Sequence, residues 1–338
     1  MTVMEAVEAA MNALECVLEA KKGENIAIFC DAEKSDVCEP FSVGALKLGL
    51  KERLVKLKTE RTFRKEIPPE IKEIFRRQRT DIFVNLLRGT REETTFRIKL
   101  TEMETQTCKA RLAHCPGITL DMLTNGALAL TIRDYRKMQD FANSLIRRLR
   151  QASHVEITNP AGTSISMSVE RRPFFTDTMI DWNRLNWMNM PTGEVMVAPV
   201  ENSLEGKLIC DMAIGGIGPI RAAVGITAKN GKVQKTESQD DQVLRSVEDS
   251  LKTDNRASIV GEFAFGINPK ARFVEEFLEA EKILGTVHIA FGNNLDMPGG
   301  RNPSINHMDF LISKPTVKII NEDNSTFDVL VDGTFKQL

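Results

Sequence analysis

No stretch of this 338-residue chain approaches the ~18 consecutive apolar residues that a membrane-spanning helix needs. The first two dozen residues lack a basic start followed by an unbroken apolar run, and Glu5 and Glu8 interrupt them. An amphipathic helix is expected there, not a secretion signal. An excess of positive charge is also missing. The net charge is −2, and no Lys/Arg-rich stretch is interleaved with aromatics, so neither a nucleic-acid footprint nor a basic membrane-binding surface is expected. The six cysteines show no CxxC spacing and sit mostly among apolar neighbours, which argues for reduced, buried thiols and a cytoplasmic protein. Finally, GxGxxG, GxxxxGK[ST] and GxSxG are absent, which removes the usual phosphate cradles and the usual serine-nucleophile elbow.

What is present divides into two patterns. In the first half, helical periodicity alternates with short apolar runs. A helix at the start gives way to a buried strand at 25–30, a helix at 40–50, a strand at 54–57, a helix at 69–77 opened by prolines, and a strand at 81–87. A further strand is expected at 108–112, and a long helix at 132–151. This alternation implies a mostly parallel α/β sheet with right-handed crossovers. The second half changes to period-two alternation. Runs at 154–159 and 163–169 flank Asn-Pro-Ala-Gly, and runs at 224–227 and 232–236 flank Lys-Asn-Gly, both hairpin signals. Helices are expected at 239–251 and 273–284. The fold class is therefore α/β, with an N-terminal parallel α/β domain over 1–151 and a β-rich α+β domain over 152–338.

The chemistry is concentrated in the second half, where ionisable side chains interrupt apolar runs. They are Glu194 in PTGEVMVAPV, Glu262 in SIVGEFAFGI, His288 in LGTVHIAFG, and His307 with Asp309 in NHMDFLI. A lone buried carboxylate is costly, so it is paired, protonated or bound to a metal. Any one of these residues has a plain explanation, as a hydrogen-bonded core histidine or a salt-bridged glutamate. Together they would need as many separate pairings, and a divalent-metal site accounts for them at once. In a strand, residues i and i+2 share a face, so His307 and Asp309 can present imidazole and carboxylate to one point. Mixed imidazole and carboxylate ligands suit Zn, Mn, Co or Fe(II). Glu281, at the end of a charged segment, is a further candidate ligand. His114, in a Pro-Gly loop context, and Arg111 are candidates for holding a substrate.

The segments NMPTGEVMVAP, GEFAFGINP, EKILGTVHIAFG and GGRNPSINHMDF, in that order, resemble the aminopeptidase T family, the M29 metallopeptidases. The resemblance is close over residues 185–312 and more diffuse in the first half. It implies a homodimer and a hydrolase that releases N-terminal residues from small peptides through a water activated by two divalent metals, Zn, Co or Mn. By motif, the implied metal ligands are Glu194, Glu262, His288, His307 and Asp309. Glu262 is implied to bridge, Glu194 and Glu262 are the implied catalytic carboxylates, and Glu281 is the nearest match to a further family glutamate. A tyrosine usual in the family, seven residues after the His288 position, is Leu295 here, and the chain has a single tyrosine, Tyr135. The chain is also similar to the dihydroxypyridine ring-cleaving dioxygenases at Glu262 and His307–Asp309. That similarity implies a single Fe(II) and a small aromatic substrate instead.

Overall fold

The computed structural model describes residues 3–58, 61–77, 79–107, 110–182 and 186–337. The chain forms two compact units, and they are interleaved along the sequence. The first comprises Met1–Gln139, Asp177–Thr192 and Lys270–Arg272; the second comprises Asp140–Thr176, Gly193–Pro269 and Phe273–Leu338.

The first unit is built on a five-stranded parallel sheet. Its spatial order is Lys51–Leu57, Asn25–Asp31, Ile82–Leu86, Arg111–His114 and Trp187–Asn189. The central strands are buried along nearly their whole length, as expected when a parallel sheet is covered on both faces. On one face Ala27, Phe29 and Phe83 pack against Ile71 and Ile74 of the helix Pro69–Arg77 and against Phe96 and Leu100 of the helix Thr94–Thr107. The helices Val3–Cys16 and Ser35–Lys47 pack on each other where Gly44 meets Met11; a Cβ on Gly44 would lie 3.2 Å from the Met11 side chain.

Strand order reverses between Asn25–Asp31 and Ile82–Leu86, the position at which open α/β sheets usually offer a ligand crevice beyond the strand C-termini. Here Asp31, the last residue of its strand, is fully buried beneath an ion network of this unit's own. Arg64 reaches Asp31 Oδ1 at 2.6 Å and Glu93 Oε2 at 2.7 Å. Arg88 donates its backbone N–H to Asp31 at 2.8 Å and pairs with Glu93 at 2.5 Å.

The helix Thr94–Thr107 has no counterpart in the sequence reading. Five threonines and only a thin apolar stripe of Phe96, Leu100 and Met103 hide it, because Thr is a weak helix former. The strand expected at 108–112 is observed as Arg111–His114, and Cys108 lies outside the described residues. The expected domain boundary near 152 also differs from the compact units. They divide within the helix Ile132–Arg148, and the strand Trp187–Asn189 returns to the first unit as the parallel neighbour of Arg111–His114.

The second unit contains two antiparallel sheets. The eight-stranded one runs Lys232–Ser238, Val224–Lys229, Glu205–Cys210, Ser164–Ser168, Ala152–Thr158, Thr316–Asn321, Thr326–Val331 and Thr334–Phe335. Asn230 and Gly231 both have positive φ (50° and 74°), so the Asn-Gly turn predicted from sequence closes its hairpin. The helix Asp241–Leu251 starts at Asp240, whose carboxylate accepts from the N–H groups of Gln242 and Val243. The helix expected over 273–284 shrinks to Phe277–Ala280. The backbone beyond it is captured by a strand end instead: Asn268 N–H donates to Lys282 O at 2.9 Å, and Gly285 N–H donates to Gly266 O at 3.0 Å.

The seven-stranded sheet carries the site. Its order is Gly218–Pro219, Ala213–Ile214, His307–Ile312, Val287–Gly292, Val260–Gly266, Glu194–Val197 and Phe175–Thr176. Among the described residues no helix is long and apolar enough to cross a membrane, and Cys16, Cys30, Cys38, Cys115 and Cys210 are free thiols.

Candidate metal centre

Register explains why the ionisable residues converge. Glu262 pairs with Ala290, and Ala290 pairs with Asp309; Ala264 pairs with His288 and with Met196; Gly292 pairs with His307, and Gly266 with Glu194. Directly paired residues share a face, and so do i and i+2 on one strand. Glu194, Glu262, His288, His307 and Asp309 therefore all project from one face, around the small side chains of Ala264 and Ala290. The opposite face is a phenylalanine core, with Phe263 and Phe265 centroids 4.7 Å apart and Phe291 and Phe310 5.8 Å apart.

Among the described residues, two groups of possible ligand atoms form on the polar face. Glu194, Glu281 and His288 make one; Glu262, His307 and Asp309 make the other; within each, the atoms lie within 4.8 Å of one another. The groups adjoin. His288 Nε2 is 3.6 Å from Glu194 Oε1, 3.5 Å from Glu262 Oε1 and 3.8 Å from Asp309 Oδ1. His307 Nε2 is 3.3 Å from Glu262 Oε2 and 3.2 Å from Asp309 Oδ1. Glu262 thus turns one oxygen toward each imidazole.

These spacings suit a divalent cation. Ligand atoms held tetrahedrally at 2.0–2.2 Å sit about 3.4 Å apart, which matches the observed separations. His307 adds the partner expected of a ligating imidazole. Its Nδ1 lies 2.9 Å from the Asn293 carbonyl, so Nδ1 carries the proton and Nε2 is left as the ligating atom.

The same carboxylates and imidazoles also pair with one another electrostatically. Burial opposes the charge on Glu262, but His288 and His307 hold its carboxyl well below the ordinary range. Burial likewise disfavours the imidazolium of His288, yet Glu262 keeps it above the usual histidine value; Asp309 and Glu262 do the same for His307, more strongly. Glu281 differs: burial pushes its carboxyl up to about 8, with Lys282 pulling down and Glu194 and Asp309 pushing further up.

Lys282 is the functional candidate that the sequence reading missed. Its side chain is 1% exposed, and its Nζ lies 2.5 Å from Glu194 Oε2 and 2.9 Å from Glu281 Oε1. In sequence it follows Glu275, Glu276, Glu279 and Glu281, a run that reads as a solvated helix face.

The two substrate candidates of the first unit are engaged within it. Arg111 donates to the carbonyls of Leu18 (2.7 Å) and Glu19 (2.8 Å), pairs with Glu24 Oε1 at 2.6 Å and stacks on Trp182. That leaves its guanidinium as a structural clamp and not a substrate anchor. His114 is the last residue of a buried strand, not a loop residue, and burial pushes its imidazole down to about 3, with Arg97 adding to the effect. Leu295, at the position of the family tyrosine, is 56% exposed.

The antiparallel sheet with its carboxylate–imidazole face makes a candidate divalent-metal site, and the sequence comparison supplies the class. The family described as thermophilic metalloprotease (M29) matches residues 131–335, and the chain belongs to this family of divalent-metal peptidases. The fold is similar to wild-type AmpT from Thermus thermophilus, with a TM-score of 0.75, 18% identity, and coverage of 98% of this chain and 99% of that one. It is similar to 2,5-dihydroxypyridine dioxygenase from Pseudomonas putida KT2440 at a TM-score of 0.72 and 14% identity, covering 99% of this chain and 98% of that one. Among curated protein sequences no match is found.

Proposed function

We propose that this protein is a metal-dependent aminopeptidase that removes N-terminal residues from small peptides. The observation that carries the reading is the convergence of Glu262, His307 and Asp309, beside Glu194, Glu281 and His288, on one sheet face of an M29 chain. Glu262, His307 and Asp309 would hold a divalent ion, Zn, Co or Mn, which when bound supplies Lewis-acid polarisation of the scissile carbonyl and a water of lowered pKa. The two-ion arrangement that the family resemblance implies calls on the Glu194 group as well, two of whose carboxylates pair with Lys282.

Four side-chain carboxyls, those of Glu194, Glu262, Glu281 and Asp309, gather at this site, and carboxylate oxygens of this kind would accept from a peptide's free N-terminal ammonium, a charge that an internal peptide bond lacks. Glu194 and Glu262 are the carboxylates proposed to take up the water's proton and pass it to the leaving amine. A cytoplasmic homodimer completes the reading, and light scattering on the purified chain tests the dimer.

The test is hydrolysis of amino-acid p-nitroanilides, with free and N-acetylated peptides compared, after loading with Zn, Co or Mn. Turnover of the free-amine substrates, lost on chelation and on acetylation, is expected. Absence of turnover with every metal would sink the proposal.

A second reading follows from Glu262, His307 and Asp309 forming a self-contained set of three donors with open positions, an arrangement suited to one Fe(II) and ring-cleaving dioxygenase chemistry. Oxygen uptake with dihydroxypyridines after anaerobic iron loading, undiminished in Glu194→Ala, would favour it. The aminopeptidase reading expects the same substitution to abolish activity.

A further inference from the structure

The two donor groups are not equivalent, and the difference is Lys282. Its ammonium lies between Glu194 Oε2 (2.5 Å) and Glu281 Oε1 (2.9 Å), two of the three donors of one group. Among the described residues, the Glu262–His307–Asp309 group has no lysine or arginine among its ion pairs. We propose that the Lys282 ammonium takes the place of a divalent ion in the Glu194–Glu281–His288 group, so that the chain holds one ion, in the Glu262–His307–Asp309 group. This rests on the metal-dependent reading given above.

Three features support it. The first is position. Hydrogen bonds of this length place Nζ where a cation shared by both carboxylates must sit, so an ion and the ammonium exclude each other sterically as well as by charge. The second is confinement. The lysine is 1% exposed, so the ammonium is buried together with its two carboxylates. Its backbone is fixed at both ends, since Lys282 N–H donates to Glu279 O at 3.1 Å and Lys282 O accepts from Asn268 N–H at 2.9 Å. The following residue, Ile283, packs its carbonyl against Gly266 so closely that a Cβ there would be 2.2 Å away. The third is charge. A buried lysine is tolerated when carboxylates pair with it, and Glu194 and Glu281 supply that pairing. Together the fixed ammonium and one exchangeable ion give the site two adjacent cations, only one of which chelators can remove.

The test counts ions. The full chain, wild type and Lys282→Met, is loaded with excess Zn²⁺, dialysed, and assayed for zinc per chain by mass spectrometry; Lys282→Arg serves as the charge-retaining control. One zinc per chain is expected in the wild type and in Lys282→Arg, and two in Lys282→Met. Two zinc ions in the wild type overturn the proposal, and so does a Lys282→Met protein that still holds one. No zinc in any variant overturns the metal-dependent reading itself, a result distinct from the other two. Should Lys282→Met fail to fold, Co²⁺ titration of wild type and Glu194→Gln decides. One equivalent bound by both supports the proposal, because Glu194 then contacts Lys282 and not the ion. Two equivalents in the wild type, or none in Glu194→Gln, overturn it.

Discussion

Gly266→Ala tests whether the site depends on the segment that delivers Glu281 and Lys282. Gly266 closes the strand that carries Glu262, and it pairs across the sheet with Glu194. A Cβ built there lies 2.2 Å from Ile283 O, 2.9 Å from Thr286 Oγ1 and 3.0 Å from Glu281 O. Ordinary contact begins near 3.4 Å, so the Ile283 carbonyl has to retreat by about 1 Å. It cannot move alone. Gly266 N–H to Thr286 O, Gly285 N–H to Gly266 O and Asn268 N–H to Lys282 O, all at 2.9–3.0 Å, tie the whole segment to the strand end. The retreat therefore passes to Lys282 and Glu281, one and two residues upstream. Overpacking of this kind costs roughly 1–3 kcal/mol, and at about 2–4 °C per kcal/mol for a unit of this size the melting temperature falls by about 2–12 °C. A misplacement near 1 Å at a reacting centre costs about 100-fold in rate, so kcat/KM on an aminoacyl p-nitroanilide is expected to fall by that order. Differential scanning calorimetry and initial-rate kinetics on one preparation give both numbers. A melting point within 1 °C of wild type and a rate within about twofold would refute the reasoning outright, since both effects come from the same clash. A lower melting point with unchanged kcat/KM would remove Glu281 and Lys282 from the reacting centre and leave them a structural role.

The ion network of the first unit gives a second test. Glu93→Gln strips the carboxylate from Arg64 and Arg88, both buried, and breaking such a pair is expected to cost about 3–5 kcal/mol. Both tryptophans, Trp182 and Trp187, belong to the first unit, so a fluorescence-monitored melt reports on it; an unshifted transition would contradict the assignment. The same residue sets an acid dependence. Burial opposes its charge, but Arg88 and Arg64 hold the Glu93 carboxyl down at about 2 in the folded state, against an ordinary value of 4.5. A depressed folded value means that the stabilisation is complete above the unfolded value and is lost as pH falls from 4.5 toward 2. Urea midpoints read by tryptophan fluorescence should drop across that window, and less so in Glu93→Gln. Metal addition supplies the last test: Zn²⁺ at about 100 times its dissociation constant is expected to add roughly 2.7 kcal/mol to the stability of the second unit, reversed by EDTA. An unchanged calorimetric transition would count against the metal centre.

Why some of this site is readable from sequence and some is not follows from how each residue is presented. Glu262, His288, His307 and Asp309 lie within apolar strands of period two, where one polar residue among Phe and Ile identifies both a face and its burial. Register then only has to bring those faces together, and every strand of an antiparallel sheet shares a face with its neighbour. The parallel sheet of the first unit is legible for a similar reason, because buried strands such as Asn25–Asp31 read as unbroken apolar runs. Its last member, Trp187–Asn189, is too short to show a period. Lys282 fails in another way, and Glu281 stands in the sequence only as a further candidate. Their segment, FVEEFLEAEKIL, carries charge at helical spacing and reads as a solvated helix, and nothing local to it says otherwise. What buries them is distant: the strand end at Gly266–Asn268 takes up the backbone of residues 282–285 and stops the helix after Ala280. Gly266 makes that capture possible, since any side chain there would collide with Ile283. The backbone that carries Lys282, and with it the proposed limit of one ion, is thus placed by a glycine sixteen positions earlier in the chain, through hydrogen bonds from the strand end and not through its own neighbours in sequence.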